Sequence, residues 1–109
     1  PAPLGDDTTL RRGQLVLALG HPLGVPHALS LGVLHATSAP VGGRTSARGS
    51  GLLAADIRLA PGNSGGPLAT ADGAVVGVNS MVVAGLGLAI PVSTVRRFLD
   101  ATVAPRRPR

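Results

Sequence analysis

The sequence has almost no aromatic residues and no cysteine. Its 109 residues include no tryptophan or tyrosine, and Phe98 is the single phenylalanine. The absence of cysteine excludes a disulfide framework, a thiolate nucleophile and a cysteine-based zinc site. Leucine, valine, alanine and isoleucine must therefore fill a core in which Phe98 is the only available ring. A hydrophobic content of 44% is too high for a disordered chain, so we expect one globular domain.

Lysine is also absent, and all ten basic residues are arginine. Five of these arginines lie in the last fourteen positions, and we interpret residues 104–109 as a basic tail or linker. Without that tail the rest of the chain is close to neutral. No aromatic residues alternate with the arginines to stack on bases, so we expect no nucleic-acid partner.

A long stretch without charge runs from Gly73 to Val95, and its length would suit a membrane helix. Asn79-Ser80 interrupts its apolar character, and several glycines and Pro91 interrupt it further. We therefore predict two buried strands joined by a turn, and no membrane span. The segment Pro1-Ala2-Pro3 lacks the charge and apolar core of a signal peptide, so we expect any export signal to lie outside this sequence.

The residue pattern predicts six short strands and then a helix. The strands are predicted at residues 14–19, 31–36, 52–57, 66–70, 74–80 and 86–90, and residues 41–51 form a glycine-rich surface loop. Asp72-Gly73 is a strong hairpin signal because the turn needs a positive φ. After Pro91 the apolar period becomes helical, and Ser93 or Thr94 is the predicted N-cap. The residues that share one face of this helix are Val95, Phe98, Leu99 and Val103. Close strand spacing favours an antiparallel barrel or sandwich.

The segment whose residues could take part in catalysis runs from Ala60 to Leu68 and reads Ala-Pro-Gly-Asn-Ser-Gly-Gly-Pro-Leu. A serine hydroxyl is a poor nucleophile, so catalysis requires it to be exposed on a sharp turn, near a base and near donors for an oxyanion. The glycines around Ser64 permit such a turn, and it can direct the Gly62 and Ser64 amides to one point. No Gly-Lys-Ser or Gly-Lys-Thr ending follows, which excludes a phosphate loop. A glycine-rich loop with an ordinary serine remains the alternative.

Residues 62–68 resemble the nucleophile motif of the HtrA/Deg branch of trypsin-like serine proteases, and the similarity extends over residues 10–100 in unbroken order. The other segments that carry it are residues 10–16, 18–24, 30–34, 76–80 and 87–91, together with Asp56, eight positions before Ser64. The resemblance implies an all-β fold, a six-stranded antiparallel Greek-key β-barrel of the trypsin-like protease type with one C-terminal α-helix. It divides the chain into a linker from a missing N-terminal barrel (1–9), a nucleophile-bearing second barrel with its helix (10–103) and the tail (104–109).

The resemblance also implies roles for individual residues. Ser64 would be the nucleophile, the Gly62 and Ser64 amides would form the oxyanion hole, and Asn63 belongs to the same catalytic segment. A substrate peptide would pair with an edge of three residues: Asn79, Ser80 and Met81. The pocket for the residue before the cleaved bond would be lined by Leu59, Ala60, Leu88 and Ala89. These side chains favour a modest apolar residue such as valine, alanine or leucine. Arg58 departs from the family, which usually has an uncharged residue there.

A serine protease also needs a histidine base and an aspartate that orients it. In the family both lie upstream, in the first barrel, and none of the local candidates fits their patterns. We interpret His21, His27 and His35 as turn or surface residues that match no metal-ligand spacing. Asp6 and Asp7 resemble linker acids, and Asp56 is expected to be structural.

Two hypotheses follow. The chain is either part of a serine endopeptidase and inactive alone, or a non-catalytic peptide-binding or scaffold barrel derived from one. The expected partners are an unfolded or extended polypeptide substrate and an N-terminal barrel that supplies histidine and aspartate, with a homo-oligomer left open. We expect no cofactor and no metal. The resemblance implies a location in the cell envelope, the periplasm or outside the cell.

Overall fold

A computed structural model describes residues 1–20, 28–39, 51–60 and 62–102 of the chain. These residues form six strands, a short 3-10 helix and one α-helix. The strands are β1 (Leu15–Gly20), β2 (Ala28–Ala39), β3 (Leu52–Asp56), β4 (Pro67–Thr70), β5 (Val75–Val83) and β6 (Leu86–Pro91). The 3-10 helix spans Asp7–Thr9, and the α-helix, α1, spans Val92–Thr102.

The six strands close into one antiparallel barrel in the order β1-β2-β3-β6-β5-β4. The predicted barrel and its terminal helix are confirmed. In this ring β3 and β4 lie opposite each other, because two strands separate them on either side. The connection from β3 to β4, residues 57–66, must therefore cross the end of the barrel. This connection contains Ser64.

The core of the barrel is aliphatic, as the composition predicts. Its largest fully buried apolar side chains come from five strands: Val16, Leu34, Leu53, Leu68 and Val76. Phe98 is not among them, because 65% of its surface is exposed on α1. Only the first residue of that helix, Val92, is buried. The expectation that the single ring contributes to the core was wrong, since the helix packs on the barrel mainly through its N-terminal end.

Two strands are longer than predicted. β2 continues to Ala39, with register shifts against β3. His35 therefore lies within the strand, and its side chain is exposed. β5 continues to Val83 and joins β6 through a two-residue turn in which Ala84 (φ 53°) and Gly85 (φ 82°) are both left-handed. This pair of positive φ values matches the right-handed twist of the two strands. The uncharged run is therefore a strand hairpin, as predicted.

The other predicted turn lies between β4 and β5. Gly73 has φ 89°, and its amide donates to the Thr70 carbonyl over 2.9 Å. The Thr70 hydroxyl donates to the Asp72 carboxylate and lowers the pKa of Asp72 below its ordinary value.

Within the described part of the chain, no helix has the length and apolar character needed to cross a membrane.

The N-terminal residues are hydrogen-bonded to the barrel. Leu4 forms a parallel bridge with Val75, and the Gly5 amide donates to the Val75 carbonyl over 2.7 Å. Asp6 caps the 3-10 helix through Thr8, and the side-chain hydrogen bond from Thr8 lowers the pKa of Asp6. The residues predicted to be a linker thus run along β5 toward the start of α1.

Asp7 connects this segment to α1. Its carboxylate accepts the Ser93 amide over 2.8 Å and the Ser93 hydroxyl over 2.9 Å. The helix begins at Val92, so Ser93 and Thr94 lie in its first turn and neither is the cap that the sequence predicts. Asp7 satisfies a helix N-H that has no partner within the helix, and its negative charge is favourable at that end.

We expect the Asp7→Ala substitution to lower the free energy of unfolding by about 1 kcal/mol, because it removes a helix cap. Urea denaturation of the chain measures this change. Asp100→Ala is the matched control, since Asp100 is exposed on the same helix and should change stability little. Equal losses in the two variants would contradict a capping role for Asp7.

Candidate active site

The loop between β3 and β4 bends sharply around Ser64. Gly62 has φ 106° and Gly65 has φ 86°, both in a region that side chains with a Cβ rarely adopt. Gly66 passes so close to β1 that a Cβ there would overlap the Leu19 carbonyl oxygen. Glycine is therefore needed at positions 62 and 65 for conformation and at position 66 for space.

Asn63 holds the first half of the loop from inside. The backbone N-H of Asn63 donates to the Ala60 carbonyl, and the side-chain Oδ1 of Asn63 accepts the Ala60 N-H, both over 3.1 Å. Its carbonyl accepts the Gly66 amide, also over 3.1 Å. The side chain is 2% exposed, and its Nδ2 has no acceptor among the described residues. Asn63 therefore shapes the loop, and its predicted place in the catalytic segment stays a prediction.

Asn79 holds the second half of the loop. Its carbonyl accepts the Gly65 amide over 2.8 Å, and its amide donates to the Gly66 carbonyl over 2.9 Å. Its side chain is buried and donates to the Pro67 carbonyl over 3.0 Å. The backbone groups of Asn79 are thus occupied within the chain, so the structure does not place this residue on a free edge.

Ser64 itself is exposed at the top of the bend. Its hydroxyl donates to the Ser80 carbonyl over 2.8 Å. Because a backbone carbonyl cannot accept a proton outright, this contact orients the hydroxyl without activating it. Within the described residues, neither the Gly62 amide nor the Ser64 amide donates to a backbone carbonyl.

A strand edge continues from this point. β5 pairs with β6 as far as Val83, whereas β4 begins at Pro67, opposite Val78. Beyond Ser80 the side of β5 that faces away from β6 has no partner among the described strands. Met81, Val82 and Val83 are each about half exposed along this edge. The sequence predicted Ser80 and Met81 here, and the longer β5 adds Val82 and Val83.

A pocket of about 330 Å³ opens between the loop and this edge. Its lining residues are Leu59, Ala60, Asn63, Ser64, Met81 and Val82. No charged side chain of the described residues lines it, and Leu59 and Ala60, which the resemblance assigns to such a pocket, are among its lining residues. Leu88 and Ala89 do not line the pocket, because both are buried in the barrel wall on β6. Their neighbour Gly87 packs closely under one lining residue, since a Cβ there would come within 2.7 Å of Leu59 Cδ1.

The site has no neighbouring base among the described residues. His35 makes no hydrogen bond to Ser64, whose hydroxyl bonds to Ser80. His21 and His27, and the predicted loop at residues 41–50, lie outside the described residues, as does Val103. Within residues 1–20, 28–39, 51–60 and 62–102, no group of three histidine, aspartate or glutamate side chains is positioned to hold a metal.

Comparisons with known proteins agree with this geometry. The profile of the trypsin-like peptidase domain matches residues 1–78. The chain belongs to the trypsin-like peptidase family. It is 44% identical over 108 residues to the mitochondrial serine protease HTRA2 of Drosophila virilis, covering 95% of this chain and 25% of that protein. The Drosophila grimshawi protein of the same name is 43% identical over the same length. The HtrA resemblance drawn from the residues is confirmed.

Solved structures of a trypsin-like peptidase share the barrel. The HtrA-type protease AlgW with a decapeptide superposes with a TM-score of 0.80 at 28% identity, covering 92% of this chain and 32% of that one. AlgW with a tripeptide gives 0.82 at 29% identity, covering 94% and 35%. The chain therefore spans about a quarter of the length of its curated relatives and about a third of these structures.

Two neighbouring glycines of this peptidase loop make a matched test. We expect Gly66→Ala to cost about 3 kcal/mol or more of stability, because the new methyl group overlaps the backbone of β1. Gly65→Ala should cost only about 1–2 kcal/mol, since its Cβ meets no atom within 4 Å and only the left-handed φ is unfavourable. Thermal and urea unfolding of both variants measure the difference. An equal or reversed order would contradict the close approach of Gly66 to Leu19.

Proposed function

We propose that this chain is the nucleophile-bearing barrel of an HtrA-type serine endopeptidase that hydrolyses peptide bonds through an acyl-enzyme at Ser64. One observation carries the proposal. The Ser64 hydroxyl is exposed on a glycine-flanked bend beside an apolar pocket and the end of β5, and the Gly62 and Ser64 amides have no backbone acceptor among the described residues. The catalytic histidine and aspartate would come from an N-terminal barrel.

The geometry supports a stepwise mechanism. An extended peptide adds to the edge at Met81–Val83 as an antiparallel strand, and the side chain before the scissile bond enters the pocket. Ser64 Oγ attacks the scissile carbonyl carbon while its proton passes to the histidine. The Gly62 and Ser64 amides stabilise the oxyanion, and loss of one such donor typically costs roughly a hundredfold in rate. The C-N bond then breaks as the histidine returns the proton to the leaving amine, and water hydrolyses the ester.

The same geometry supports inactivity of this barrel alone. The hydroxyl donates to the Ser80 carbonyl, which has no capacity to take its proton away. An incoming histidine would have to replace Ser80 as the acceptor of that hydrogen bond. The pocket size and its apolar wall favour valine, alanine or leucine before the cleaved bond. We propose a location in the cell envelope or outside the cell, whereas the Drosophila relatives are named as mitochondrial.

The competing function is a non-catalytic peptide-binding barrel. The absence of a base beside Ser64 among the described residues favours it, and the AlgW structures that resemble this chain contain peptides. Such a barrel would use the strand edge and the pocket but would have no use for the two unoccupied amides. Those amides, which have no backbone acceptor among the described residues and could donate to an oxyanion formed at Ser64, are the reason to prefer the endopeptidase.

A fluorophosphonate probe separates the two functions. In a protein that includes the N-terminal barrel, we expect stoichiometric labelling that Ser64→Ala abolishes. The matched control is Ser38→Ala, because Ser38 is exposed on β2 and away from the site. The isolated barrel should label negligibly under the same conditions. Labelling that survives Ser64→Ala would eliminate Ser64 as the nucleophile, and no labelling of the longer protein would favour the peptide-binding barrel.

The outer face of β1 and β2 is apolar and exposed, which favours a partner that covers it. Three cross-strand pairs stack outward on it: Leu15 with Val33, Leu17 with Leu31, and Leu19 with Leu29. Leu29 and Leu31 are each 63% exposed. A contiguous apolar surface of this kind marks an interaction site. The partner we propose is the polypeptide that supplies the base, because the curated relatives contain three times as much chain again outside this match.

We expect the isolated chain to self-associate through this face as its concentration rises. The double substitution Leu29→Ser and Leu31→Ser should shift the sedimentation coefficient toward that of a monomer. Leu99→Ser, which removes an exposed leucine from α1 instead, is the control and should leave association unchanged. A strictly monomeric unmodified chain that binds no hydrophobic dye would contradict the need for a covering partner.

A further inference from the structure

A second depression adjoins the pocket beside Ser64. It encloses about 620 Å³ and shares two of its lining residues, Leu59 and Val82, with that pocket. Leu31 and Gly85 also line it. Unlike the first pocket it contains charged side chains, those of Asp56 and Arg58. The two cavities are therefore consecutive parts of one cleft, the first apolar and the second charged.

The two charges face the same way along the chain. Asp56 and Arg58 are exposed, and Ile57 between them is buried in the core. This alternation is that of extended backbone, in which residues two apart share a face. Among the described residues neither side chain forms a salt bridge or a hydrogen bond. Arg58 is next to Leu59, which lines both cavities. The long Arg58 side chain carries five hydrogen-bond donors, whereas the Asp56 side chain is short and its carboxylate stays close to the backbone.

The position of the depression along the substrate follows from strand geometry. An antiparallel peptide on the edge of β5 runs from Val83 toward Ser80, so its residues before the scissile bond pass Val82. Successive residues of a strand are about 3.3 Å apart and alternate in direction, so side chains two apart project to the same side. If the side chain before the scissile bond occupies the first pocket, the side chain two residues earlier faces the second.

We propose that this second depression is an anion-preferring subsite in which Arg58 binds an acidic side chain of the substrate. That aspartate or glutamate lies two positions before the substrate residue whose side chain occupies the pocket beside Ser64. The inference rests on the proposed endopeptidase function and specifies its substrate class: extended segments with an acidic residue, one intervening residue, and then a small aliphatic residue at the cleavage site. Guanidinium groups bind carboxylates in a bidentate manner, which suits this recognition.

The test uses three matched peptides that differ only at that position, with aspartate, asparagine or lysine. Cleavage by the protein that includes the N-terminal barrel should give a kcat/KM about two- to fivefold higher for aspartate than for asparagine, the effect of an exposed ion pair. Arg58→Gln should abolish the preference, and Asp56→Asn should increase it by removing a competing carboxylate. Arg97→Gln, an exposed arginine on α1, is the control and should leave the preference intact. Raising the salt concentration should weaken it.

A binding measurement on the Ser64→Ala protein keeps this test separate from catalysis. Fluorescence anisotropy should rank the same peptides in the same order, with aspartate tightest, and Arg58→Gln should remove the ranking. Two results would overturn the subsite. One is efficient cleavage or binding without a preference for aspartate, and the other is a preference for lysine that Asp56→Asn removes. Ranked binding without cleavage of any peptide would retain the subsite and overturn the endopeptidase function. Failure to bind all three peptides would overturn both.

Discussion

The crossing of the barrel end by the β3-β4 connection is the constraint on which the site depends. Because β3 and β4 lie on opposite sides of the ring, the chain between them cannot form a simple hairpin and has to be supported along its length. Asn63 supports it from inside and Asn79 from the neighbouring strand, while Gly66 lies directly against β1. These contacts occupy the loop amides that face inward and leave those of Gly62 and Ser64 without carbonyl partners in the described chain.

That division of hydrogen bonds explains how one loop is both rigid and chemically available. Buried polar groups must be satisfied, and Asn63 and Asn79 satisfy most of those beneath the loop. In the proposed endopeptidase, the groups at its surface would serve a developing oxyanion without reorganisation, which is a large source of electrostatic stabilisation in such sites. Among the described residues the Ser64 hydroxyl has no histidine partner, and it donates instead to the Ser80 carbonyl.

The barrel also shows how an aliphatic sequence divides its apolar residues between two surfaces. Alternation along β1 places Val16 and Ala18 inside and the leucines outside. The inner set completes the core without any ring. The outer set pairs with Val33, Leu31 and Leu29 on β2 and stays partly or largely exposed, which is the character of a surface that a partner covers.

The local pattern of residues was sufficient to predict the six strands, the helix after Pro91, the Asp72-Gly73 turn and the serine loop, because alternation and turn chemistry act over a few residues. Leu59, Ala60, Ser80 and Met81 were assigned by the family resemblance and do lie near Ser64, but their part in substrate binding stays a prediction. The capping of α1 by Asp7, the exposure of Phe98, the inward direction of Asn79 and the burial of Leu88 and Ala89 were beyond local pattern. Each depends on which distant element lies opposite, and only closure of the barrel and packing of α1 on it decide that.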